Sequence, residues 1–196
     1  MPTDDPPARL RRGALRGRIA LAAVLCLLAS AARATQDEPA SPQTVSAAQL
    51  KDALDRLGSL DYAVRTAASR LVRRTAPAQA VPALLGAVAE HADGYVRYRA
   101  LVLLTGFNDP RTRDAMRESL ASPNDRLRTV AYSFFEHNPD PALAPALLDA
   151  LERENAEFVR PALIRALAAH AAHPQVPPAL VREAGRREDF FRSVVI

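Results

Sequence analysis

The chain has 196 residues, of which 48% are hydrophobic and 24% charged, and its formal net charge is +4. A chain of this length can bury enough apolar surface to fold without disulfide bonds. The single cysteine, Cys26, excludes an intramolecular disulfide and a cysteine-based metal site.

Residues 1–34 have the pattern of a secretory signal peptide. Five arginines precede an uninterrupted apolar run from Ile19 to Ala29, and Ala32-Arg33-Ala34 supplies the small residues of a cleavage site. The run has 11 residues, whereas a membrane-spanning helix needs about 20. We therefore expect cleavage after Ala34, a periplasmic or secreted protein, and no stable membrane insertion. An uncleaved membrane anchor is the alternative.

Loss of this segment changes what the charge implies. It holds six of the 26 basic and two of the 22 acidic residues, so 20 of each remain. Because a nucleic-acid-binding surface normally needs a basic excess, the sequence predicts no nucleic-acid partner. Residues 35–45 are polar and proline-bearing, which predicts a disordered leader. The high alanine content, with Lys51 as the only lysine, favours a bacterial protein.

From residue 46 onwards the sequence repeats at intervals of 31 or 32 residues. In four complete copies, apolar residues recur four, seven and eight positions after a first apolar residue, which places them on one helix face. A period of this length indicates a repeat array. The first apolar residue is always followed by arginine, at Val64-Arg65, Val96-Arg97, Leu127-Arg128, Val159-Arg160 and, in a fifth copy, Phe191-Arg192.

A second helix precedes each of these helices. Val81-Pro82-Ala83-Leu84-Leu85 and Ala144-Pro145-Ala146-Leu147-Leu148 are alike and lie two periods apart. Their prolines suit a first helical turn, where the missing N–H has no helical partner. Asp109-Pro110 and Asp140-Pro141 are each typical of a cap followed by the first helical residue. One helix pair cannot bury its apolar stripes alone, so neighbouring pairs must stack.

The sequence therefore predicts an all-α fold, an α-α superhelix of about four and a half helical hairpins. It contains no convincing strand. The predicted repeat domain covers residues 46–196, with repeats at 46–75, 76–108, 109–139, 140–173 and a partial copy at 174–196.

The segment Ala80-Val81-Pro82-Ala83-Leu84-Leu85, followed by Asp93-Gly94-Tyr95-Val96-Arg97 and Ala100, resembles the HEAT repeat in the short bacterial form named after phycobilin lyases. Asp61-Tyr62-Ala63-Val64-Arg65 repeats the aspartate-to-arginine spacing. The resemblance covers about residues 46–196 and implies a right-handed α-solenoid whose second helices line the concave side. It also implies a ladder of aspartates and arginines that links adjacent repeats, here Asp61, Arg65, Asp93, Arg97, Arg128, Arg160 and Arg192. The sequence departs from the pattern where Asn124 and Ala156 replace the aspartate.

No residue pattern predicts catalysis. The chain lacks a serine nucleophile elbow, a phosphate-binding glycine loop and a zinc-protease helix motif. His170 and His173 have a spacing that can hold a metal on one helix face. However, His170 lies at a predicted helix C-terminus, where the helix dipole favours a cation. We therefore expect no enzyme activity, no metal and no cofactor.

Tyr95, Tyr98 and Arg99 at the start of one second helix, with Tyr132 on the next, are the candidate protein-binding residues. Aromatic residues and arginine dominate interface hot spots, although these four could instead pack between repeats. The sequence as a whole predicts an exported, non-catalytic scaffold that binds another protein. Two alternatives remain: an enzyme or enzyme accessory resembling the phycobilin lyases, and a membrane-tethered adaptor that keeps its signal.

Overall fold

The computed structural model describes residues 42–185. The predicted signal peptide, most of the predicted leader and Arg192 lie outside these residues. The described part contains nine α-helices. In chain order they are α1 (Ala47–Arg56), α2 (Tyr62–Arg74), α3 (Pro77–Glu90), α4 (Gly94–Leu104), α5 (Arg111–Ser119), α6 (Asp125–His137), α7 (Ala144–Arg153), α8 (Arg160–Ala169) and α9 (Val176–Ala184), with a 3-10 helix, Pro141–Leu143, leading into α7.

The helices stack in two rows. Each even-numbered helix packs against the odd-numbered helix before it, and α2, α4, α6 and α8 also contact one another in that order. We call these four helices the even-helix row. Among the odd-numbered helices, α1 contacts α3 and α7 contacts α9. This arrangement confirms the predicted all-α solenoid of helical hairpins.

The side chains that cap the even-numbered helices recur with the repeat. Asp61, Asp93 and Asn124 precede α2, α4 and α6, and each side chain accepts a hydrogen bond from a backbone N–H in the first helical turn. Such a cap satisfies one of the N–H groups that a helix leaves without a partner. The repeated cap therefore fixes where each of these helices begins.

The cap of α2 gives a measurable prediction. Asp61 Oδ1 accepts hydrogen bonds from the N–H groups of Ala63 and Val64, over 2.7 and 3.2 Å. We expect Asp61→Ala to lower the free energy of unfolding by about 1 kcal/mol, because both bonds are lost. Urea unfolding followed by circular dichroism measures this, with Asp61→Asn as the control that keeps the cap. Equal stability of Asp61→Ala and the wild type would show that the cap contributes nothing.

The start of α5 is fixed by a second aspartate. Asp109 accepts hydrogen bonds from the Arg111 side chain, over 2.9 Å, and from its backbone N–H, over 3.0 Å. The Arg111 side chain, followed by this N–H, lowers the pKa of Asp109 from 3.8 to about 2. The Asp109 side chain thus holds the turn that leads into α5, whereas Pro110 is the N-cap residue and the helix begins at Arg111, one residue later than the sequence suggested.

The lowered pKa predicts a pH dependence. A carboxyl group whose pKa is lowered by folding stabilises the folded state fully above its unfolded pKa, and this contribution disappears as pH falls through the folded value. We therefore expect Asp109→Asn to be less stable than the wild type at pH 6, with the difference shrinking from about pH 4 and vanishing only below about pH 2. Urea midpoints measured at several pH values test this. Arg111→Ala, which removes the main donor, should give the same trend, and a pH-independent difference would contradict the explanation.

The last residues of the predicted leader have defined partners. Gln43 donates its N–H to Arg74 O over 2.7 Å and accepts a hydrogen bond from Ala76 N–H over 2.9 Å. Val45 exchanges two hydrogen bonds with the Gln79 side chain. Residues 43–45 therefore lie along the turn between α2 and α3. The polar composition of the leader suggested disorder. Composition does not reveal hydrogen bonds to residues more than 30 positions away, such as the bond from Val45 N–H to Gln79.

The buried apolar side chains of residues 42–185 form two clusters. The α1–α6 core includes Leu84, Leu104 and Phe135. The α6–α9 core includes Tyr132 and Leu147. Both receive side chains from α6, which is therefore the helix at which the two cores meet.

Candidate protein-binding surface

A groove opens on the exposed side of the even-helix row, between α4 and α6. Tyr98 and Val102 from α4 and Val130 and Phe134 from α6 form most of its apolar lining, and its volume is about 480 Å³. The other lining residues are polar: Thr105, Thr129, Ser133, His137 and Asn138. A second hollow of about 440 Å³ shares Phe134 and extends the groove towards the start of α5. We call the exposed side of α2, α4, α6 and α8 the even-helix face.

Aromatic and arginine side chains lie next to this groove. The rings of Tyr95 and Tyr98 are 5.6 Å apart between centroids. The guanidinium carbon of Arg126, on the neighbouring α6, lies 5.3 Å from the centre of the Tyr95 ring. A cation over an aromatic ring is an attractive contact. The structure therefore brings Tyr95 and Tyr98 together and holds Tyr95 beneath an arginine.

Arg99 points to the other side of α4, towards α2. Its Nη2 donates to Ser69 Oγ over 3.2 Å. Its Nε is buried and has no hydrogen-bond partner among residues 42–185. A buried donor without a partner carries a desolvation cost, so this guanidinium is only partly satisfied by the part of the chain that the structure describes.

Tyr132 lies apart from the other candidate residues. Its side chain is 1% exposed and belongs to the α6–α9 core, so it is not on the even-helix face. It occupies the repeat position of Leu101 and Ile164, which are equally buried. Comparison of the repeats position by position could therefore have predicted its burial.

Tyr132 borders a polar cavity of about 650 Å³ between the turns of the third and fourth repeats, together with Arg128, Arg153 and Glu154. Burial, and then the negative charge of Glu154, raises the pKa of Tyr132 to about 12. A phenol with so high a pKa stays protonated at neutral pH. This makes it a poor general base, because an efficient one has a pKa near the operating pH.

The repeated arginines bind carbonyl groups of their own repeats. Each donates to the end of the preceding odd-numbered helix or to the turn after it, where helical carbonyls lack partners. Arg65, Arg97, Arg128 and Arg160 donate to the carbonyl oxygens of Ser59, Val88, Ser122 and Leu151 over 2.5, 2.7, 2.8 and 3.0 Å.

Two of these arginines also reach the next repeat. Arg128 forms a two-point contact with Glu154, over 2.8 and 2.9 Å, and this hydrogen bonding raises the arginine's pKa above its usual value. Arg160 donates twice to Glu183 Oε2, over 3.1 and 2.7 Å. The acidic partners are therefore glutamates at the ends of odd-numbered helices, whereas the resemblance implied aspartates.

The residues at the aspartate position act mainly as caps, but they also lie close to the preceding repeat. Asn124 Nδ2 donates to Gly94 O over 2.9 Å. A Cβ atom at Gly58 would lie 2.6 Å from Asp93 Oδ2, so a side chain at position 58 would displace the cap of α4. Asn124, where the sequence departs from the aspartate pattern, therefore still links two repeats.

Two exposed residues were not singled out by the sequence analysis. Arg126 and Phe158 occupy the same repeat position as Tyr95, at intervals of 31 and 32 residues. Phe158 is 91% exposed. Alignment of the repeats on Tyr95 could have identified both residues, because it places them at the same edge of the even-helix row.

His170 and His173 bind separate backbone groups. His170 is buried, its Nδ1 donates to Ala166 O over 2.7 Å, and its Nε2 accepts a hydrogen bond from Asp140 N–H over 3.0 Å. Both ring nitrogens are thus occupied. Within residues 42–185, no three histidine, cysteine, aspartate or glutamate side chains are grouped to hold a metal ion. None of the helices in that range is long and apolar enough to cross a membrane.

Comparison with known proteins identifies the repeat. Residues 48–134 match the family model described as HEAT repeats, and no curated protein matches the sequence. The match runs from α1 into α6, and the helix pairs α1–α2, α3–α4 and α5–α6 keep one repeat register through it. Residues 48–134 therefore belong to the HEAT-repeat family, and the chain is a HEAT-repeat protein.

Proposed function

We propose that the protein is an exported, non-catalytic bacterial scaffold that binds another protein through its even-helix face. HEAT repeats generally serve as scaffolds for protein–protein interaction, and solenoids offer extended surfaces for this purpose. The observation that carries the proposal is the apolar groove of Tyr98, Val102, Val130 and Phe134.

The groove has the composition of a binding hot spot. Its walls combine aliphatic and aromatic side chains, and it can bury an apolar side chain of a partner. Tyr98 is half-buried, so part of its ring remains available for contact. Arg126 and Tyr95 at its edge supply the polar rim that surrounds the centre of most interfaces.

The pKa shifts of the described residues support a non-catalytic role. The carboxyl pKa values of Asp55, Asp109 and Asp140 are lowered, and in each case the first cause is a hydrogen bond from a neighbouring lysine or arginine side chain. These groups stabilise helix ends and turns. Catalytic acids and bases instead tend to lie in a cleft with pKa values shifted towards neutrality.

Site-specific photocrosslinking tests the binding surface. A photoreactive amino acid at Val102, in the groove, should form an adduct with a discrete protein in the producing cells. The same amino acid at Ala89, which is exposed on α3, is the control on the odd-numbered row. The Val102 adduct should disappear when Tyr98→Ala is added. Identical adducts from both positions, or none from Val102, would contradict binding at this face.

Export is tested separately. The basic segment, the apolar run of residues 19–29 and the Ala32-Arg33-Ala34 pattern support it. Residues 1–45 fused to a β-lactamase that lacks its own signal should give ampicillin resistance, and arginine at both Leu25 and Leu27 should abolish it. N-terminal sequencing of the mature protein should begin at Thr35. An intact N-terminus would support the membrane-tethered adaptor instead.

A further inference from the structure

The charged residues of the described helices are strongly segregated between the two rows. The four even-numbered helices contain ten arginines and two acidic residues, whereas the five odd-numbered helices contain seven basic and eight acidic residues. The segregation is sharpest in α2 and α4, which hold six arginines and no acidic residue. The charge of residues 35–196, with 20 basic and 20 acidic residues, averages over this difference.

Part of this positive charge is used within the fold. The four repeated arginines bind carbonyl groups, and Arg165 pairs with Glu136 over 3.1 Å. Five arginines of the even-numbered helices remain. None of them forms an ion pair with a carboxylate within the described range, 42–185. These are Arg70, Arg73 and Arg74 on α2, Arg99 on α4 and Arg126 on α6.

The position of these arginines relative to the groove indicates which chemical groups a partner would need. Arg126 lies over Tyr95, whose ring contacts Tyr98 in the groove wall. On the other side of α4, Arg99 reaches Ser69 of α2, and its Nε lacks a partner within the described residues. Arg70 and Arg73 are exposed on the same α2. Within the described residues, guanidinium groups that pair with no carboxylate therefore lie on both sides of α4, whose Tyr98 and Val102 line the apolar groove.

From this arrangement we infer that the even-helix face of α2, α4 and α6 binds an acidic peptide segment that carries an apolar or aromatic side chain between its carboxylates. This inference rests on the proposed scaffold function and specifies its partner. Packed helices lie about 8–10 Å apart, so three of them span roughly 20 Å. An extended segment of about six residues, at about 3.3 Å per residue, covers that distance.

The groove favours a peptide over a nucleic acid. The exposed lining of the groove is mainly apolar, and Val102, Val130 and Phe134 can contact an aliphatic or aromatic side chain. The face of Tyr95 is already covered by Arg126, which removes one platform for base stacking. Carboxylates match the guanidinium groups in charge and can bind them with two hydrogen bonds each.

Selection from a random octapeptide library tests the inference. The protein is purified from the producing cells in its processed form and immobilised through a C-terminal tag. It should enrich peptides with at least two acidic residues flanking an apolar or aromatic one. Enrichment of neutral or basic peptides, or of none, would overturn the acidic specificity. If Val102 still forms its crosslink in that case, the scaffold function stands and only this inference fails; loss of both results rejects both.

Charge-reversal variants locate the site. Arg70→Glu combined with Arg73→Glu should weaken binding of a fluorescein-labelled selected peptide about tenfold or more, since two favourable contacts become repulsive. The matched control, Arg56→Glu with Arg153→Glu, changes the net charge equally on exposed odd-row positions and should bind normally. Tyr98→Ala should weaken binding without changing its salt dependence. Equal binding by both double variants, or displacement of the peptide by a lower concentration of single-stranded DNA, would overturn the inference.

Discussion

Arg160→Ala is expected to lower the free energy of unfolding by about 3–5 kcal/mol, because it removes a buried guanidinium that donates two hydrogen bonds to the Glu183 carboxylate. The side chains of Arg160 and Glu183 are only 6% and 10% exposed. The guanidinium also donates to the carbonyl oxygens of Leu151 and Glu154, over 3.0 and 2.7 Å. One substitution therefore removes the bond to the next repeat and the bonds that close the turn before α8. Urea unfolding followed by circular dichroism measures the loss.

Arg165→Ala is the matched control for this prediction. It lies on the same helix and pairs with Glu136, but their side chains are 47% and 25% exposed. Ion pairs in such exposed positions contribute about 0–1 kcal/mol. Similar losses from the two variants would show that the buried contacts of Arg160 do not hold the fourth and fifth repeats together.

Phe135→Ala is the second substitution with a large expected effect, a loss of about 3–5 kcal/mol. Its side chain is fully buried in the α1–α6 core. The ring lies edge-on to Phe134, with centroids 5.2 Å apart, and the Arg113 guanidinium carbon lies 5.9 Å from its centre. Removing the ring leaves a cavity and deprives both neighbours of contacts.

Phe134→Ala separates stability from binding. Phe134 is only partly buried and lines the groove, so its loss should cost less than half as much stability as the loss of Phe135. It should weaken partner binding, whereas Phe135→Ala should preserve binding under conditions in which the variant is folded. Equal destabilisation by both substitutions would contradict the difference in burial.

The helical hairpins could be predicted because the evidence for them is local and repeated. The spacing of Val96, Ala100 and Leu104 already defines a buried helix face, and all three are at most 1% exposed. The cap at Asp93 is equally local, since its hydrogen bond spans two residues. The repetition also defined where each repeat begins, since every copy has the same spacing of apolar residues.

The contacts between repeats could not be predicted in the same way. Glu154 and Glu183 follow their arginine partners by 26 and 23 residues, so they keep no constant repeat position. The segregation of charge was hidden for another reason. It can be recognised only once the two rows of helices are known. Arg70 and Arg126 belong to one positively charged face because α2, α4 and α6 lie side by side in the fold. Total charge carries no such information.

The meeting of two cores at α6 has a consequence for local opening. Each core can behave as one cooperative unit in amide hydrogen exchange. The boundary between the two units lies at α6, which contributes Phe135 to the first core and Tyr132 to the second. A ligand that binds only the folded form of a unit stabilises it by RT ln(1 + L/Kd), where L is the concentration of free ligand. An acidic peptide on α2, α4 and α6 should therefore slow exchange throughout the α1–α6 core. Exchange in α8 and α9 should keep the rate that it has without the peptide. One end of the solenoid would then still open locally, while the end that binds the partner would open more rarely.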